Sequence, residues 1–309
     1  EGDMSDGCGA TGSVDVTFTA SDDCGNSESI VLTFDIVDVT LPVLDAAPYH
    51  EIACEEYDPN GIYAATASDV CGGASVVLVS SSQVSSNCAG QYLHVYKAVD
   101  ECENESETMD QIVTLLDTEG PSFTLICPEN KQLFTDANCH ADTSVETNGE
   151  ASYSDLSDNC DSNPEVVINH SDEVISGCTG SYTIERTWTI TATDHCDNPT
   201  EDMCVQIITV TDNMEPVPLI TCPPDYDVNA DENCNADISP EAAGTATATA
   251  TDNCSPEENI IIDITHDDGD KVYECAGEYT FIRTWKAMAT DDCGNFASTI
   301  CTQNITVKD

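Results

Sequence analysis

Six cysteines recur in one order along this chain, and that recurrence limits the possible folds more than any other feature. Cys127, Cys139, Cys160, Cys178, Cys196 and Cys204 are followed by Cys222, Cys234, Cys254, Cys275, Cys293 and Cys301, at offsets of 94 to 97 residues. The flanking residues repeat with them: Gly180-Ser-Tyr-Thr-Ile-Glu-Arg-Thr-Trp188 returns as Gly277-Glu-Tyr-Thr-Phe-Ile-Arg-Thr-Trp285. A fixed period of this length is the signature of tandem structural units. An earlier unit keeps only Cys54, Cys71, Cys88 and Cys102, aligned by Ala67-Ser-Asp-Val-Cys71 and Ala98-Val-Asp-Glu-Cys102. Ahead of it, Thr19-Ala-Ser-Asp-Asp-Cys24-Gly-Asn26 stands where Thr290-Asp-Asp-Cys293-Gly-Asn295 stands later, so residues 1–38 match the last third of a unit. The expected organisation is a C-terminal part of a repeat at 1–38, a four-cysteine repeat at 39–117, and six-cysteine repeats at 118–213 and 214–309, with the chain beginning in mid-domain.

Each unit reads as β. Ser181 to Thr193, Cys204 to Val210 and Glu278 to Thr290 are rich in Thr, Val, Ile, Tyr and Trp and are bounded by Asp, Asn, Gly and Pro, which suits pleated strands and the turns between them. Roughly seven short strands in about 95 residues predict an all-β fold of tandem immunoglobulin-like β-sandwich repeats. The joints Asp38-Val-Thr-Leu-Pro42, Asp117-Thr-Glu-Gly-Pro121 and Asp212-Asn-Met-Glu-Pro216 are short and end in proline. Stiff connectors of that kind predict an extended, disulfide-stapled rod.

Eighteen cysteines with no CxxC pair and no Cys/His cluster predict disulfides and an extracellular, cell-surface location. The net charge of -52, from 59 acidic against 7 basic residues, repels nucleic acid and anionic membrane. No apolar run approaches the roughly 20 residues that span a bilayer, so no direct membrane insertion is expected.

Six cysteines allow 15 pairings, and the repeat supplies a comparison. The unit lacking the equivalent of Cys127 also lacks that of Cys204, which predicts Cys127 with Cys204 and Cys222 with Cys301. In an immunoglobulin-like sandwich the second and sixth strands end at one pole. That predicts Cys160 with Cys196, Cys254 with Cys293 and Cys71 with Cys102, leaving Cys139 with Cys178, Cys234 with Cys275 and Cys54 with Cys88 at the other pole. Cys8 and Cys24 then have partners upstream of Glu1.

A phrase of the form Ala-Ser/Thr-Asp-x-Cys closes both of those strands, and the last strand of the preceding unit ends in an aspartate at the same pole. Three carboxylates therefore converge at each joint: Asp38, Asp69 and Asp100; Asp117, Asp158 and Asp194; Asp212, Asp252 and Asp291. Calcium takes six to eight hard oxygen ligands, so Ca2+ is the expected cofactor. Asx-turns at solvated loops are the competing account of the same aspartates.

Other signals carry less. Gly7-Cys-Gly9-Ala-Thr-Gly12 matches a dinucleotide fingerprint in letters but is followed by a strand. The six histidines look scattered and superficial, and no carboxylate pair stands out from 59 acids, so no catalytic residue and no enzyme activity are expected. Trp188 and Trp285 suit the sandwich core better than a sugar platform. Sequons occur at Asn104, Asn169, Asn253 and Asn304.

Ile126-Cys127-Pro128, Ala192-Thr-Asp194-His-Cys196-Asp-Asn198, Cys204-Val-Gln-Ile-Ile-Thr-Val210 and the Asp-then-Pro joints resemble hyalin-type (HYR-like) repeats. That resemblance implies a bond from the Cys-Pro cysteine to the cysteine of the final strand. The extra cysteines resemble the version in SprB-type giant surface adhesins of gliding Bacteroidota, which implies adhesion and gliding motility for the whole protein. The expected role is a structural stalk segment of a secreted filament or adhesin. Its partners would be further repeats of the same chain or neighbouring subunits, and surface glycans or proteins. A glycan- or protein-binding module would need an exposed aromatic patch confined to one unit, and a self-assembling fibre would complete the first unit by strand addition between chains.

Overall fold

The computed structural model describes residues 5 and 7–309 apart from 87 and 276, and of Cys275 the backbone alone. The protein is built from β-sandwich repeats of immunoglobulin-like class. The first 38 residues contribute β1 (Gly12–Ser21) and β2 (Ser27–Ile36), an antiparallel pair. The second repeat contains β3 (Val43–Ala46), β4 (Tyr49–Ala53), β5 (Ala65–Ser68), β6 (Ala74–Ser85), β7 (Gln91–Asp100) and β8 (Met109–Leu116). The third contains β9 (Ser122–Ile126), β10 (Lys131–Phe134), β11 (Ser152–Ser157), β12 (Glu165–Ser176), β13 (Tyr182–Thr193) and β14 (Pro199–Thr211). The fourth contains β15 (Val217–Thr221), β16 (Tyr226–Asn229), β17 (Thr247–Thr251), β18 (Ile261–Asp268), β19 (Val272–Cys275), β20 (Glu278–Thr290) and β21 (Phe296–Lys308).

One topology serves all three. The first strand pairs with the third in a two-stranded sheet, and the second, sixth, fifth and fourth form a larger sheet in that order; in the fourth repeat the short β19 also pairs with β20, so that sheet has five strands and β20 and β21 stand in the places of the fifth and sixth. The second strand lies parallel to the last, as in Tyr49↔Ile112 and Tyr226↔Ile305. Alternation along the fifth strand explains which face is buried. In β7, His94, Tyr96, Ala98 and Asp100 point inward, and in β20 Phe281, Arg283, Trp285, Ala287 and Ala289 do.

By contacts the chain separates into two compact units. The first comprises 1–124, 153–167 and 191–201; the second comprises 125–152, 168–190 and 202–309. In the second unit, Trp188 and Trp285 are almost wholly buried, and each indole N–H donates to a buried glutamine Oε1, Gln206 or Gln303, at 3.4 Å. Gln206 Nε2 then donates to the Glu129 and Asn148 carbonyls, and Gln303 Nε2 to those of Pro224 and Ala243. These amides complete the backbone hydrogen bonding that a one-turn helix leaves open beside them. Next to each tryptophan a buried arginine forms a bidentate pair, Arg186 with Asp172 at 2.7 and 2.8 Å and Arg283 with Asp268 at 2.6 and 2.8 Å.

In the first unit His94 occupies the position of those tryptophans and is fully buried. Its Nδ1 faces the Tyr96 hydroxyl at 3.1 Å, and its Nε2 faces Tyr57 and Ser81 hydroxyls at 3.1 Å. The histidines are therefore not all superficial. His170 and His266 also sit at equivalent positions, each packed 5.0 Å from its tryptophan ring. Around His94 the half-buried rings of His50, Tyr57, Tyr63 and Tyr92 pack against one another. In β1 and β2, Phe18 faces Ile30 as Tyr96 faces Met109. Phe18, Leu32, Phe34 and Ile36 of this hairpin remain about half exposed, whereas Tyr96 and Val113 are fully buried.

The disulfides depart from most of the pairings expected from sequence. The structure joins Cys127 to Cys204 and Cys222 to Cys301, first strand to last within a repeat. It does not join Cys160 to Cys196, Cys254 to Cys293, Cys139 to Cys178, Cys54 to Cys88 or Cys71 to Cys102. Instead Cys54 bonds Cys160, Cys88 bonds Cys196, Cys139 bonds Cys254, Cys178 bonds Cys293 and Cys8 bonds Cys102. Each bond joins the far pole of one repeat to the near pole of the next. Equivalent cysteines share a pole in each repeat, but in a head-to-tail series the nearer sulfur belongs to the neighbouring repeat. Cys8 thus has its partner within the chain, and Cys24, Cys71 and Cys234 are free thiols. The expected Cys234 to Cys275 bond involves a side chain outside the described residues.

Candidate metal centre

Each joint is assembled from three turns. The linker aspartate follows the last strand of one repeat, and two further aspartates follow the third and fifth strands of the next. The linker prolines Pro42, Pro121 and Pro216 are buried, which fixes the chain as it enters each new repeat. The fifth-strand aspartate forms an Asx-turn. Asp194 Oδ1 accepts the Cys196 and Asn198 amides at 2.7 and 2.8 Å, and Oδ2 accepts Asn198 Nδ2 at 2.8 Å. Asp100 with Asn104 and Asp291 with Asn295 repeat the arrangement. The same asparagine also donates to the carbonyl of the linker aspartate: Asn104 to Asp38, Asn198 to Asp117 and Asn295 to Asp212, at 3.2 to 3.3 Å. Turn chemistry and convergence of carboxylates are therefore both present. This asparagine, invariant across the joints, was in view in the sequence as the Asn of Asp-x-x-x-Asn.

The third-strand aspartate commits one oxygen to its turn. Asp158 Oδ1 accepts the Cys160 and Asp161 amides, and Asp252 Oδ2 accepts those of Cys254 and Ser255, at 2.7 to 2.9 Å. The other oxygen, Asp158 Oδ2 or Asp252 Oδ1, is buried without a partner, and so is Oδ2 of the linker residue Asp117 or Asp212. Within the second unit, Asp212, Asp252 and Asp291 bring one oxygen each within 4.8 Å of one another. Within the first unit, Asp117 and Asp194 approach in the same way. Burial, and after it the charges of Asp158 and Asp194, push the Asp117 carboxyl above its usual range. Burial raises Asp194 as well, but the Asn198 amides and the Cys196 amide outweigh it and hold that carboxyl low.

Unpartnered carboxylate oxygens buried side by side cost several kcal/mol unless a cation or proton compensates them. A hard divalent ion suits the donor set, since every donor is oxygen and the nearby sulfurs of Cys160 and Cys196 are bound in disulfides. Asp212, Asp252 and Asp291 would hold one such ion and Asp117 with Asp194 another, while Asp158, expected to join the latter pair, is not part of the converging group there.

The joint at Asp38, Asp69 and Asp100 differs. Asp38 and Asp69 converge with the free thiol of Cys71, and Asp100 is not part of that group. Thr40 donates its hydroxyl to Asp38 and reaches Asp69 at 3.5 Å, in the space between the two carboxylates.

The sequons also change meaning. The side-chain amides of Asn104, Asn253 and Asn304 donate to Asp38, Asp136 and Asp225, which leaves Asn169, on an exposed strand position, as the one with its amide outside such a bond among the described residues. Among the described residues no helix is long and apolar enough to cross a membrane.

No family model matches the sequence, and no curated protein does. Solved structures of cadherin repeats align along most of it at low similarity. Extracellular cadherin domains 1–5 of protocadherin gamma B2 align over 97% of this chain and 66% of their own, at 14% identity and a TM-score of 0.34. PcdhgB3 EC1-4 aligns over 97% and 83%, at 15% and 0.31. Human CDH23 EC21-23 aligns over 86% and 100%, at 15% and 0.33. At these TM-scores the likeness carries no argument.

Proposed function

We propose that this chain is a structural segment of a secreted, cell-surface repeat protein, a stalk of the kind found in filaments and adhesins, whose joints are stiffened by disulfides and by calcium. The observation that carries this reading is the pair of cross-repeat disulfides at one joint, Cys139 to Cys254 and Cys178 to Cys293. Two covalent bonds across one joint oppose bending and twisting in a way that a single tether cannot. They also require an oxidising compartment. The second support is the set of orphaned carboxylate oxygens beside those bonds, which a hard cation would neutralise. The resemblance to HYR-like repeats of surface adhesins points the same way and extends the proposal to adhesion and gliding motility.

Solution X-ray scattering tests the stiffness. The oxidised, calcium-loaded chain should scatter as a rigid particle, and chelation combined with reduction should give the profile of flexibly linked domains. An unchanged profile would overturn the reading. Protease shaving of intact source cells tests the location, because release of the protein is expected only if it stands on the outer surface.

A further inference from the structure

The cross-repeat bonds obey one rule, and the free thiols are what the rule leaves over. A far-pole cysteine after the second strand bonds the cysteine of the next repeat's third-strand turn, as in Cys54 to Cys160 and Cys139 to Cys254. A far-pole cysteine before the fifth strand bonds the cysteine of the next repeat's fifth-strand turn, as in Cys8 to Cys102, Cys88 to Cys196 and Cys178 to Cys293. Cys24 is a fifth-strand-turn cysteine, Cys71 a third-strand-turn cysteine and Cys234 a far-pole cysteine. Each is one half of a bond whose other half would come from an adjoining repeat.

Cys234 is exposed. Its loop already has the shape of the bonded one. Cys139 has φ 59° and Cys234 φ 60°, and their amides donate to the Asp136 and Asp231 carbonyls at 3.0 and 2.9 Å. Asp136 Oδ1 accepts the Asn138 and His140 amides, as Asp231 Oδ1 accepts those of Asn233 and Asn235. At the bonded joint, Asn253 of the Asp-Asn-Cys turn donates its side-chain amide to the Asp136 carbonyl at 3.0 Å. The Asp231 carbonyl stands at the matching place.

We infer that the far pole of the 214–309 repeat, marked by Cys234 and Asp231, is a covalent docking surface for a β-sandwich repeat of the same kind that presents a third-strand Asp-Asn-Cys turn. The turn's asparagine would donate to the Asp231 carbonyl and its cysteine would bond Cys234. That bond forms as two thiols give up two protons and two electrons to a small-molecule disulfide, which leaves as two thiols. The inference rests on the stapled-array reading above.

The test is the whole chain extended at its C-terminus by a second copy of residues 214–309, oxidised with glutathione disulfide and mapped by non-reducing peptide mass spectrometry. Cys234 should be found bonded to the added copy's counterpart of Cys254. An alkylatable Cys234 in the extended chain, or a Cys234 bonded to Cys275, would overturn the inference if Cys139 to Cys254 has formed. Absence of Cys139 to Cys254 would remove the array reading as well. Should the extended chain not fold, iodoacetamide footprinting of the 309-residue chain decides. Rapid labelling of Cys234 with Cys254 protected is expected, and an internal Cys234 bond or a Cys234 that resists labelling refutes the surface.

Discussion

Replacing Asp252 by asparagine separates the charge at the second-unit joint from its turn chemistry. The asparagine carbonyl can still accept the Cys254 and Ser255 amides, both at 2.8 Å from Asp252 Oδ2. Only the orphaned oxygen changes, from a buried anion to an amide able to donate to Asp212. With the donor oxygens of Asp212, Asp252 and Asp291 within 4.8 Å of one another, each like-charge pair repels by about 3 kcal/mol at an effective dielectric constant of about 20. In chelator, Asp252→Asn should therefore stabilise the protein by about 1 to 3 kcal/mol after solvent relaxation. In calcium most of that gain should be cancelled. A site held at about 100 times its Kd contributes about 2.7 kcal/mol, and loss of a charged ligand weakens binding by about tenfold or more, roughly 1.4 kcal/mol. Differential scanning calorimetry in EDTA and in calcium reads both effects. A shift of the same size in the two media would refute the calcium assignment.

Three further outcomes follow from the same geometry. Asp69→Asn should show no such dependence on calcium, because Thr40 already lies between Asp38 and Asp69; calorimetry in both media checks it. Arg186→Met should cost about 1 to 2 kcal/mol, less than a fully buried pair because Asp172 is partly exposed. Arg186 holds the Asp172 carboxyl below its usual range, so the pair's contribution is complete above the unfolded pKa of about 4 and is lost as pH falls through the lower folded value. The variant should flatten that acid limb in pH-dependent denaturant titrations. Gly180→Ala should impair the joint at Cys139 and Cys254: Gly180 has φ 87°, and an added Cβ would lie 2.4 Å from Cys254 Sγ. Non-reducing mass mapping should show less of that bond, with Cys127 to Cys204 unaffected.

The repeat period, the β character and the meeting of Asp212, Asp252 and Asp291 at one pole were legible in the cysteine and Asp-x-Cys spacing. The partners of the polar cysteines were not, because self-comparison shows which positions are equivalent and not which equivalents touch. The sulfur nearest Cys160 belongs to Cys54, 106 residues away. His94 was equally hidden. Only when the second repeat is aligned on Asp100 does it fall at the site of Trp188, where hydroxyls of Tyr57, Ser81 and Tyr96 make a buried imidazole tolerable. Arg186 and Arg283, among 7 basic residues in the chain, stand in the phrase that revealed the repeat. Their carboxylate partners lie 14 and 15 residues earlier, on the neighbouring fourth strand, where a one-dimensional motif has no fixed spacing.

The cross-repeat disulfides also set how far the chain can be drawn out. Between Cys54 and Cys234 the backbone alone runs 180 residues, or roughly 600 Å at full extension. The sulfurs offer a shorter covalent route. It passes from Cys54 to Cys160, back along 21 residues to Cys139, across to Cys254 and back along 20 residues to Cys234. That route is roughly 140 Å when taut, so under tension it tightens before most of the backbone can pay out. Unravelling a repeat under load would then require a reductant as well as a force.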